Sequence, residues 1–217
     1  MGLSMNLQKH VDLLLERYPE LKSIEHQIID GYLIMEDCFA SEKKLLIAGN
    51  GGSAADSEHM VGELMKSFKK KRTLSLLEKE KLIAINEMDG IVLANNLQGC
   101  LPAIALDGHL ALTTAYMNDC EPLLCFAQQV NGYGTAADVF LGISTSGNSQ
   151  NIIYAAITAK AKGMKVIGLT GEKDSKLSLY ADVCIKVPEQ ETYMIQELHL
   201  PIYHCWCLML EEHFFGE

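Results

Sequence analysis

Apolar residues along this chain alternate between short continuous runs and longer stretches with helical spacing. Residues 5–40 carry apolar positions three to four residues apart and predict helix, interrupted at Tyr18-Pro19. Five short apolar runs predict buried strands at 44–48, 101–106, 138–144, 165–170 and 183–187. Further helices are predicted at 53–70, 109–118, 121–131, 149–162 and 190–214. This order predicts an α/β fold of three layers, in which a five-stranded, mostly parallel sheet is flanked by helices, with long N- and C-terminal helices.

The turns after the first and third predicted strands have the character of phosphate-binding loops. Gly49-Asn50-Gly51-Gly52-Ser53 lets the backbone approach a ligand closely, and a helix is predicted to begin directly after it. The segment 144–149, Ser-Thr-Ser-Gly-Asn-Ser, offers four hydroxyls at a strand–helix junction. Helix capping accounts for one such hydroxyl but not easily for four. The chain has neither GxGxxG nor GxxxxGK[ST], so no dinucleotide or P-loop site is predicted.

Composition excludes several classes of function. A formal net charge of −10 argues against general binding of nucleic acid, which needs a basic surface. The basic run Lys69–Arg72 is interpreted as a solvated helix end, with contact to an anionic substrate as the alternative. Seven cysteines without a CxxC pair, no signal peptide and no membrane-length apolar run lead us to expect a cytoplasmic protein with no membrane partner.

Two segments distant in sequence carry candidate acid/base and metal-binding side chains. His59 and Glu63 lie four residues apart in a predicted helix, and Gln196 and His204 lie eight apart in the last one, so each pair shares a helix face. Such a set can hold a divalent ion and move a proton. Each residue alone is more often structural, and His199 is interpreted as a structural histidine. Glutamine is an uncommon zinc ligand, so these residue types alone do not identify the metal.

Residues 49–56, 141–149 and 195–199 together resemble the sugar isomerase (SIS) domain. The resemblance is closest to the phosphoheptose isomerases, which convert sedoheptulose 7-phosphate to the aldoheptose 7-phosphate. It extends from about residue 20 to 215, and we expect 1–217 to be a single SIS domain. It implies one Zn²⁺ per subunit, with four ligands: His59, Glu63, Gln196 and His204.

The resemblance also implies roles for residues that bind and convert the substrate. A phosphate would bind Ser144, Thr145, Ser146 and Ser149, with Ser53 close by. The sugar would contact Asn50, Gly51, Gly52, Glu63, Asn118, Asp119 and Gln196. An aldose–ketose isomerisation moves a proton between neighbouring carbons through an enediolate, so it needs a base and an acid. Glu63 is the predicted base, and His204 is the predicted partner acid/base.

One segment departs from the family pattern. The phosphoheptose isomerases pass quickly from the helix with the glutamate into the next strand, whereas this chain has 28 residues from Thr73 to Cys100. We expect an ordered, partly helical insertion at about 73–100 that serves a subunit interface, or alternatively a lid that changes sugar specificity. An isomerase for another ketose phosphate is therefore one alternative function. A non-catalytic SIS module is another, although the presence of Glu63 and His204 argues against it. A homo-oligomer is expected, with a tetramer favoured.

Overall fold

The computed structural model describes residues 3–216, and the predicted domain 1–217 exceeds that range only by residues 1, 2 and 217. Within the described range, five strands are β1 (Leu45–Ala48), β2 (Ala103–Ala105), β3 (Val139–Ile143), β4 (Lys165–Thr170) and β5 (Val183–Lys186). Ten α-helices in the same range are α1 (Met5–Arg17), α2 (Glu25–Ala40), α3 (Gly52–Met65), α4 (Leu76–Ile85), α5 (Glu87–Asn96), α6 (Leu110–Asp119), α7 (Cys125–Tyr133), α8 (Gln150–Ala161), α9 (Lys176–Tyr180) and α10 (Thr192–Phe215). Short 3₁₀ turns are Pro19–Ile24, Leu106–Gly108 and Pro122–Leu124.

The five strands form one sheet in the order β2-β1-β3-β4-β5, and every neighbouring pair is parallel. The predicted α/β architecture is therefore confirmed. From β1 the chain crosses to β2 on one side, and β3 then joins the opposite side of β1. Ala48 pairs with Gly142, so β1 and β3 end at the same level of the sheet. Ligands of such sheets bind in the crevice that opens where the strand order reverses, which here lies after β1 and β3.

Side chains alternate between the two faces of the sheet and build two apolar clusters. Ile47 and Leu141 point to the face covered by α1, α2, α3 and α10. Leu46 and Phe140 point to the opposite face, which is covered by α7, α8 and α9. Trp206 is fully buried in the first cluster, where its indole Nε1 donates a hydrogen bond of 2.8 Å to the backbone oxygen of Ile28. This contact joins α10 to α2 within one layer, and the helices on both faces of the sheet confirm the three-layer arrangement.

Two local predictions were wrong. Helix α3 ends at Met65 instead of continuing to 70, because the backbone N–H groups of Phe68, Lys69 and Lys70 donate to the carboxylate of Glu211. Arg72, predicted to be solvated, has a fully buried side chain paired with the same carboxylate. The buried carboxylate of Glu211 on α10 thus fixes the conformation of the segment 68–72, whose sequence alone predicts an exposed basic helix end. Helix α9, only five residues long, was not predicted.

The segment 73–100 forms a pair of packed helices, α4 and α5, on the surface. An isolated antiparallel bridge between Thr73 and Gln98 ties the two ends of the pair together. Helix α4 has no buried residue, and α5 buries only Gly90 and Ala94. A Cβ on Gly90 would lie 2.4 Å from the backbone oxygen of Leu82, so the helices meet at a contact that only glycine permits.

Among the described residues, no helix combines the length and apolarity needed to cross a membrane.

Candidate active site

The turn between β1 and α3 requires glycine at two positions, Gly49 and Gly51. Gly51 precedes the first residue of α3 with a φ of 58°, in the left-handed region that favours glycine. A Cβ on Gly49 would lie 2.2 Å from the backbone oxygen of Ser53, and one on Gly52 would lie 2.6 Å from Nε2 of Gln196. The turn therefore packs directly against the start of α3 and against the side chain of Gln196 on α10.

The loop between β3 and α8 presents hydroxyls that the helix does not use for capping. Ser144 is buried, and its Oγ lies 3.1 Å from the Oγ of Ser149. Ser149 occupies the N-cap position of α8, yet its side chain accepts no capping hydrogen bond. The hydroxyl of Ser146 is turned outward and accepts a hydrogen bond of 3.1 Å from the backbone N–H of Asn148. Ser144 and Ser149 are thus free to serve a ligand, and capping does not explain them.

These two loops enclose a cavity of about 280 Å³ at the carboxyl ends of β1 and β3. Its wall combines both loops with the first turns of α10, and it carries hydroxyls, amides and glycine backbone but no charged side chain. The lining residues are Asn50, Gly51, Gly52, Ser53, Ile143, Ser144, Thr145, Ser149, Thr192 and Gln196. Neutral donors near the start of a helix suit an anion such as a phosphate group.

A reciprocal amide pair joins the two loops. The Nδ2 of Asn50 donates to Oδ1 of Asn151 at 3.1 Å, and the Nδ2 of Asn151 donates to Oδ1 of Asn50 at 2.8 Å. Asn151 lies in the first turn of α8 and was not among the predicted site residues. The pair fixes the distance between the loops, so the cavity is held open by the protein itself.

A second group of polar side chains lies further along α3 and α10. Nε2 of His59 is 3.5 Å from Oε1 of Glu63, and the ring centroids of His59 and His204 are 5.0 Å apart. The side chain of Glu63 is only 12% exposed, whereas that of His59 is 44% exposed. Lys66 places its Nζ 3.4 Å from the other oxygen of Glu63. The predicted pair on α3 therefore does meet the predicted histidine of α10.

Asp56 and Tyr203 form a hydrogen-bonded chain that ends on His59. The hydroxyl of Tyr203 donates to Oδ1 of Asp56 at 3.2 Å and lies 3.0 Å from Nδ1 of His59. Tyr203 is fully buried. Its burial and the nearby carboxylate of Asp56 raise the pKa of the phenol, so the hydroxyl keeps its proton. Neither Asp56 nor Tyr203 was predicted, because their pairing needs the register of α3 against α10.

The protonation of His204 and His199 on α10 follows from their surroundings. Burial is the main cause that lowers the pKa of His204, and the charged form of His59 would lower it further, whereas Glu63 opposes this, so the neutral imidazole of His204 is favoured. Its Nε2 is buried without a hydrogen-bond partner among the described residues. His199 is fully buried and its Nε2 donates to the backbone oxygen of Thr170 at 3.4 Å. Burial lowers the pKa of His199 to about 4.

The donors present fit a divalent metal in their chemistry. Two imidazoles and a carboxylate are ligand types of Zn²⁺, and a neutral histidine with a buried, unpaired nitrogen is in the ligating form. Gln196 lies against Gly52, seven residues or about 10 Å before His59 along α3, so its share in the set stays a prediction. Within residues 3–216, no three His, Cys, Asp or Glu side chains are already arranged as a metal cluster.

Two predicted substrate contacts lie apart from the cavity. Asn118 and Asp119 occupy the exposed last turn of α6, where the Nδ2 of Asn118 donates to Oδ1 of Asp119 at 2.8 Å. Neither they nor Ser146 line the cavity between the loops. Their contact with a substrate stays a prediction.

A third polar contact near the site was not predicted. The Oγ of buried Ser57 lies 2.6 and 2.5 Å from the two carboxylate oxygens of Asp107, and it donates to the backbone oxygen of Ala54 at 2.8 Å. One hydroxyl proton cannot serve three oxygens at once, so protonation of Asp107 would supply the missing donor. Burial raises the pKa of Asp107 to about 6.

Comparison with known proteins adds the following relationships. A family model described as SIS domain matches residues 84–171. A phosphoheptose isomerase of Nitratiruptor sp. is 35% identical over 193 residues, covering 89% of this chain and 89% of the relative. One from Aneurinibacillus thermoaerophilus is 37% identical over 179 residues, covering 82% of this chain and 77% of the relative.

Solved structures agree with these relatives. The phosphoheptose isomerase of Neisseria gonorrhoeae superposes with a TM-score of 0.72 at 29% identity, over 95% of this chain and 97% of that protein. The phosphoheptose isomerase of Francisella tularensis gives a TM-score of 0.74 at 28% identity, over 95% and 96% of the two chains.

Proposed function

Because the chain belongs to the phosphoheptose isomerase family, we propose that it is a zinc-dependent aldose–ketose isomerase. The proposed reaction converts sedoheptulose 7-phosphate to D-glycero-D-manno-heptose 7-phosphate through an enediolate. One observation carries the proposal: the same two helices, α3 and α10, border an uncharged anion cavity at one end and carry an acid/base group further along. A substrate with a phosphate at one end and a reactive carbonyl at the other matches this arrangement.

The phosphate end of the substrate would occupy the cavity between the loops. Ser144 and Ser149 offer paired hydroxyls, and Ser53 and Thr145 line the same space. Binding a dianion without lysine or arginine leaves the hydroxyls and the backbone N–H groups to supply the hydrogen bonds. This pattern selects for the shape of a phosphate group more than for negative charge in general.

Glu63 and His204 would perform the proton transfers. The carboxylate of Glu63 is largely shielded from water and lies beside His59, and we propose that it takes a proton from the carbon next to the carbonyl. His204, held neutral by burial, would exchange a proton with the substrate oxygens. Returning the same proton to the neighbouring carbon completes the isomerisation.

The side chains around His59 are also donors of the kinds that bind Zn²⁺. We propose that His59, Glu63, Gln196 and His204 hold one Zn²⁺ per subunit, which when bound would supply Lewis-acid polarisation of the substrate carbonyl. The buried, unpaired Nε2 of His204 supports this assignment, since a buried polar nitrogen ordinarily has a partner.

We also propose a homotetramer. Helices α4 and α5 expose many large apolar side chains, among them Leu76, Ile85 and Met88 at 79%, 89% and 81% exposure. Isolated exposed apolar residues are common, but this concentration on one helix pair suits a contact with another subunit. The native mass at micromolar concentration measures this directly, and a monomer would contradict it.

Turnover of sedoheptulose 7-phosphate tests the proposed activity. We expect conversion by the zinc-loaded protein, loss of conversion in a chelator, and a loss of at least about 100-fold in Glu63→Gln, because general-base catalysis contributes that much or more. Glu58→Gln is the matched control, since Glu58 is an exposed residue on the same helix. It should retain wild-type turnover.

Three outcomes would contradict parts of the proposal. Turnover that persists in the chelator would contradict the zinc requirement. Full activity of Glu63→Gln would remove Glu63 from its role. No turnover by the zinc-loaded protein would contradict the substrate, and a panel of other ketose phosphates would then separate a different isomerase from a non-catalytic SIS module.

A further inference from the structure

We propose that Asp56 and Tyr203 are positioning residues that hold His59 in the tautomer with its proton on Nδ1, so that the lone pair on Nε2 faces Glu63. The consequence for catalysis rests on the proposed function. The tautomer itself is a property of the metal-free protein and can be measured without turnover.

Counting protons along the chain of contacts leads to this tautomer. Tyr203 has one hydroxyl proton and two neighbours, Oδ1 of Asp56 at 3.2 Å and Nδ1 of His59 at 3.0 Å. A carboxylate can only accept, whereas an imidazole nitrogen accepts or donates according to tautomer. If Tyr203 donates to Asp56, His59 must donate from Nδ1 to the phenol oxygen. Both contacts are then satisfied.

The opposite arrangement leaves the half-buried carboxylate of Asp56 without a donor. Oδ2 of Asp56 is already buried with no hydrogen-bond partner in the described part of the chain. If Tyr203 donated to His59 instead, Oδ1 of Asp56 would lose its donor as well. An unpaired buried acceptor is costly, so the bond from Tyr203 to Asp56 is retained.

The chain of contacts is rigid enough to impose this choice. Tyr203 is fully buried, and its ring meets the ring of His59 nearly edge-on at a centroid distance of 5.6 Å and that of His204 at 5.0 Å. His59, by contrast, has a 44% exposed side chain and little packing of its own. Tyr203 and His204 are neighbours on α10, so a single helix sets the orientation of both histidines.

The selected tautomer prepares His59 for a cation. With its proton on Nδ1, the imidazole directs a lone pair at Nε2, 3.5 Å from Oε1 of Glu63. Two acceptors facing one another at this distance favour a positive ion between them. A hydrogen bond from the second ring nitrogen to a fixed oxygen is also what orients metal-binding histidines in general.

Side-chain ¹⁵N NMR of metal-free protein at pH 8 measures the tautomer. The seven histidines are ¹⁵N-labelled, and the His59 signals are assigned by their loss in His59→Gln. We expect the proton on Nδ1 in the wild type. In Asp56→Ala it should move to Nε2, because Tyr203 then donates to Nδ1, whereas in Tyr203→Phe the preference should be lost. A wild-type proton on Nε2, or variants that keep the wild-type tautomer, would overturn the proposal.

Titration of the same metal-free proteins with Zn²⁺ gives a second measurement. Tyr203→Phe and Asp56→Ala should bind about 10- to 100-fold more weakly than wild type, the usual effect of removing a partner of a ligating histidine. Tyr193→Phe is the matched control: it makes the same change at a 59% exposed tyrosine in the first turn of α10 and should bind like wild type. Equal affinities in all four proteins would refute the positioning role.

Asp56→Asn separates positioning from a loss of folding. Its amide oxygen can still accept from Tyr203, so it should restore the wild-type tautomer and most of the Zn²⁺ affinity, and a variant that folds with the wrong tautomer would contradict the argument. The two proposals fail differently. A wild type with the expected tautomer but no isomerase activity would refute the proposed function alone. An active enzyme in which the tautomer of His59 is the same with and without the Tyr203 hydroxyl would refute the positioning role alone.

Discussion

Replacing Glu211 by glutamine should lower the free energy of unfolding strongly, because the Glu211 carboxylate holds the segment 68–72 that follows α3. One oxygen of the Glu211 carboxylate accepts from the backbone N–H of Phe68 at 2.9 Å and from Nε of Arg72 at 2.9 Å. The other accepts from the backbone N–H groups of Lys69 and Lys70 at 2.9 and 3.0 Å. Both side chains of the ion pair are almost fully buried, at 0% and 2% exposure.

The size of the effect follows from these contacts. In Glu211→Gln one oxygen can still accept two of the four hydrogen bonds, but the other becomes an NH₂ group that faces donors. Arg72 would keep its bonds of 2.7 and 2.9 Å to the backbone oxygens of Leu64 and Glu63 while losing its counter-charge. Breaking one partner of a buried ion pair costs about 3–5 kcal/mol, so we expect the free energy of unfolding to fall by that amount.

Urea unfolding followed by fluorescence of Trp206 measures this change, because the chain has one tryptophan and it is fully buried. Glu212→Gln is the matched control: Glu212 pairs with Lys9 and Lys70 near the surface, at 3.3 and 3.0 Å, and should contribute less than about 1 kcal/mol. A loss in Glu211→Gln within 1 kcal/mol of the control would refute the reasoning.

The pH dependence gives an internal check. Burial raises the pKa of Glu211, but the hydrogen bonds from Phe68, Lys69 and Arg72 outweigh it and hold the pKa below its ordinary value of 4.5. A carboxylate with a lowered folded pKa stabilises the fold above its unfolded pKa and loses that contribution as the pH falls through its folded pKa. The stability difference between wild type and Glu211→Gln should therefore narrow on acidification below about pH 4.5.

The positions of the loops could be predicted because parallel strands constrain them. Alternating runs predicted five strands with helices between them, and ligand loops of a parallel sheet lie at its carboxyl edge. The order of the strands was therefore enough to predict that the loops containing Gly51 and Ser144 lie close together. The proximity of His59 and Glu63 could be predicted from the helix alone, because residues four positions apart lie on the same face of a helix.

Contacts that depend on the packing of one helix against another could not be predicted from the sequence. The chain from Asp56 through Tyr203 to His59 requires a particular register of α3 against α10, and no periodicity encodes that register. Arg72 shows the same limit for charge. Four consecutive basic residues predict a solvated surface, but the residue that decides otherwise, Glu211, lies 139 positions away.

The remaining predictions concern Asp107 and Gly52. Because burial raises the pKa of Asp107 to about 6, its protonated form stabilises the fold below its unfolded pKa of 3.8, and this stability is lost as the pH rises through 6. As the pH rises from 4.5 to 7.5, the free energy of unfolding of the wild type, measured in urea, should therefore fall by roughly 1–2 kcal/mol relative to that of Asp107→Asn, after discounting for partial exposure. Equal pH dependence in both proteins would contradict this. Gly52→Ala puts a Cβ 2.6 Å from Nε2 of Gln196, which is the far end of a flexible side chain, so the protein should fold normally. The displaced Gln196 should lower kcat/KM about tenfold, because a loss of about 1.4 kcal/mol in contacts to the transition state has that effect. Gly62→Ala, on the same helix with open space around the added Cβ, is the control; equal kcat/KM in both variants would show that Gln196 does not act from this position.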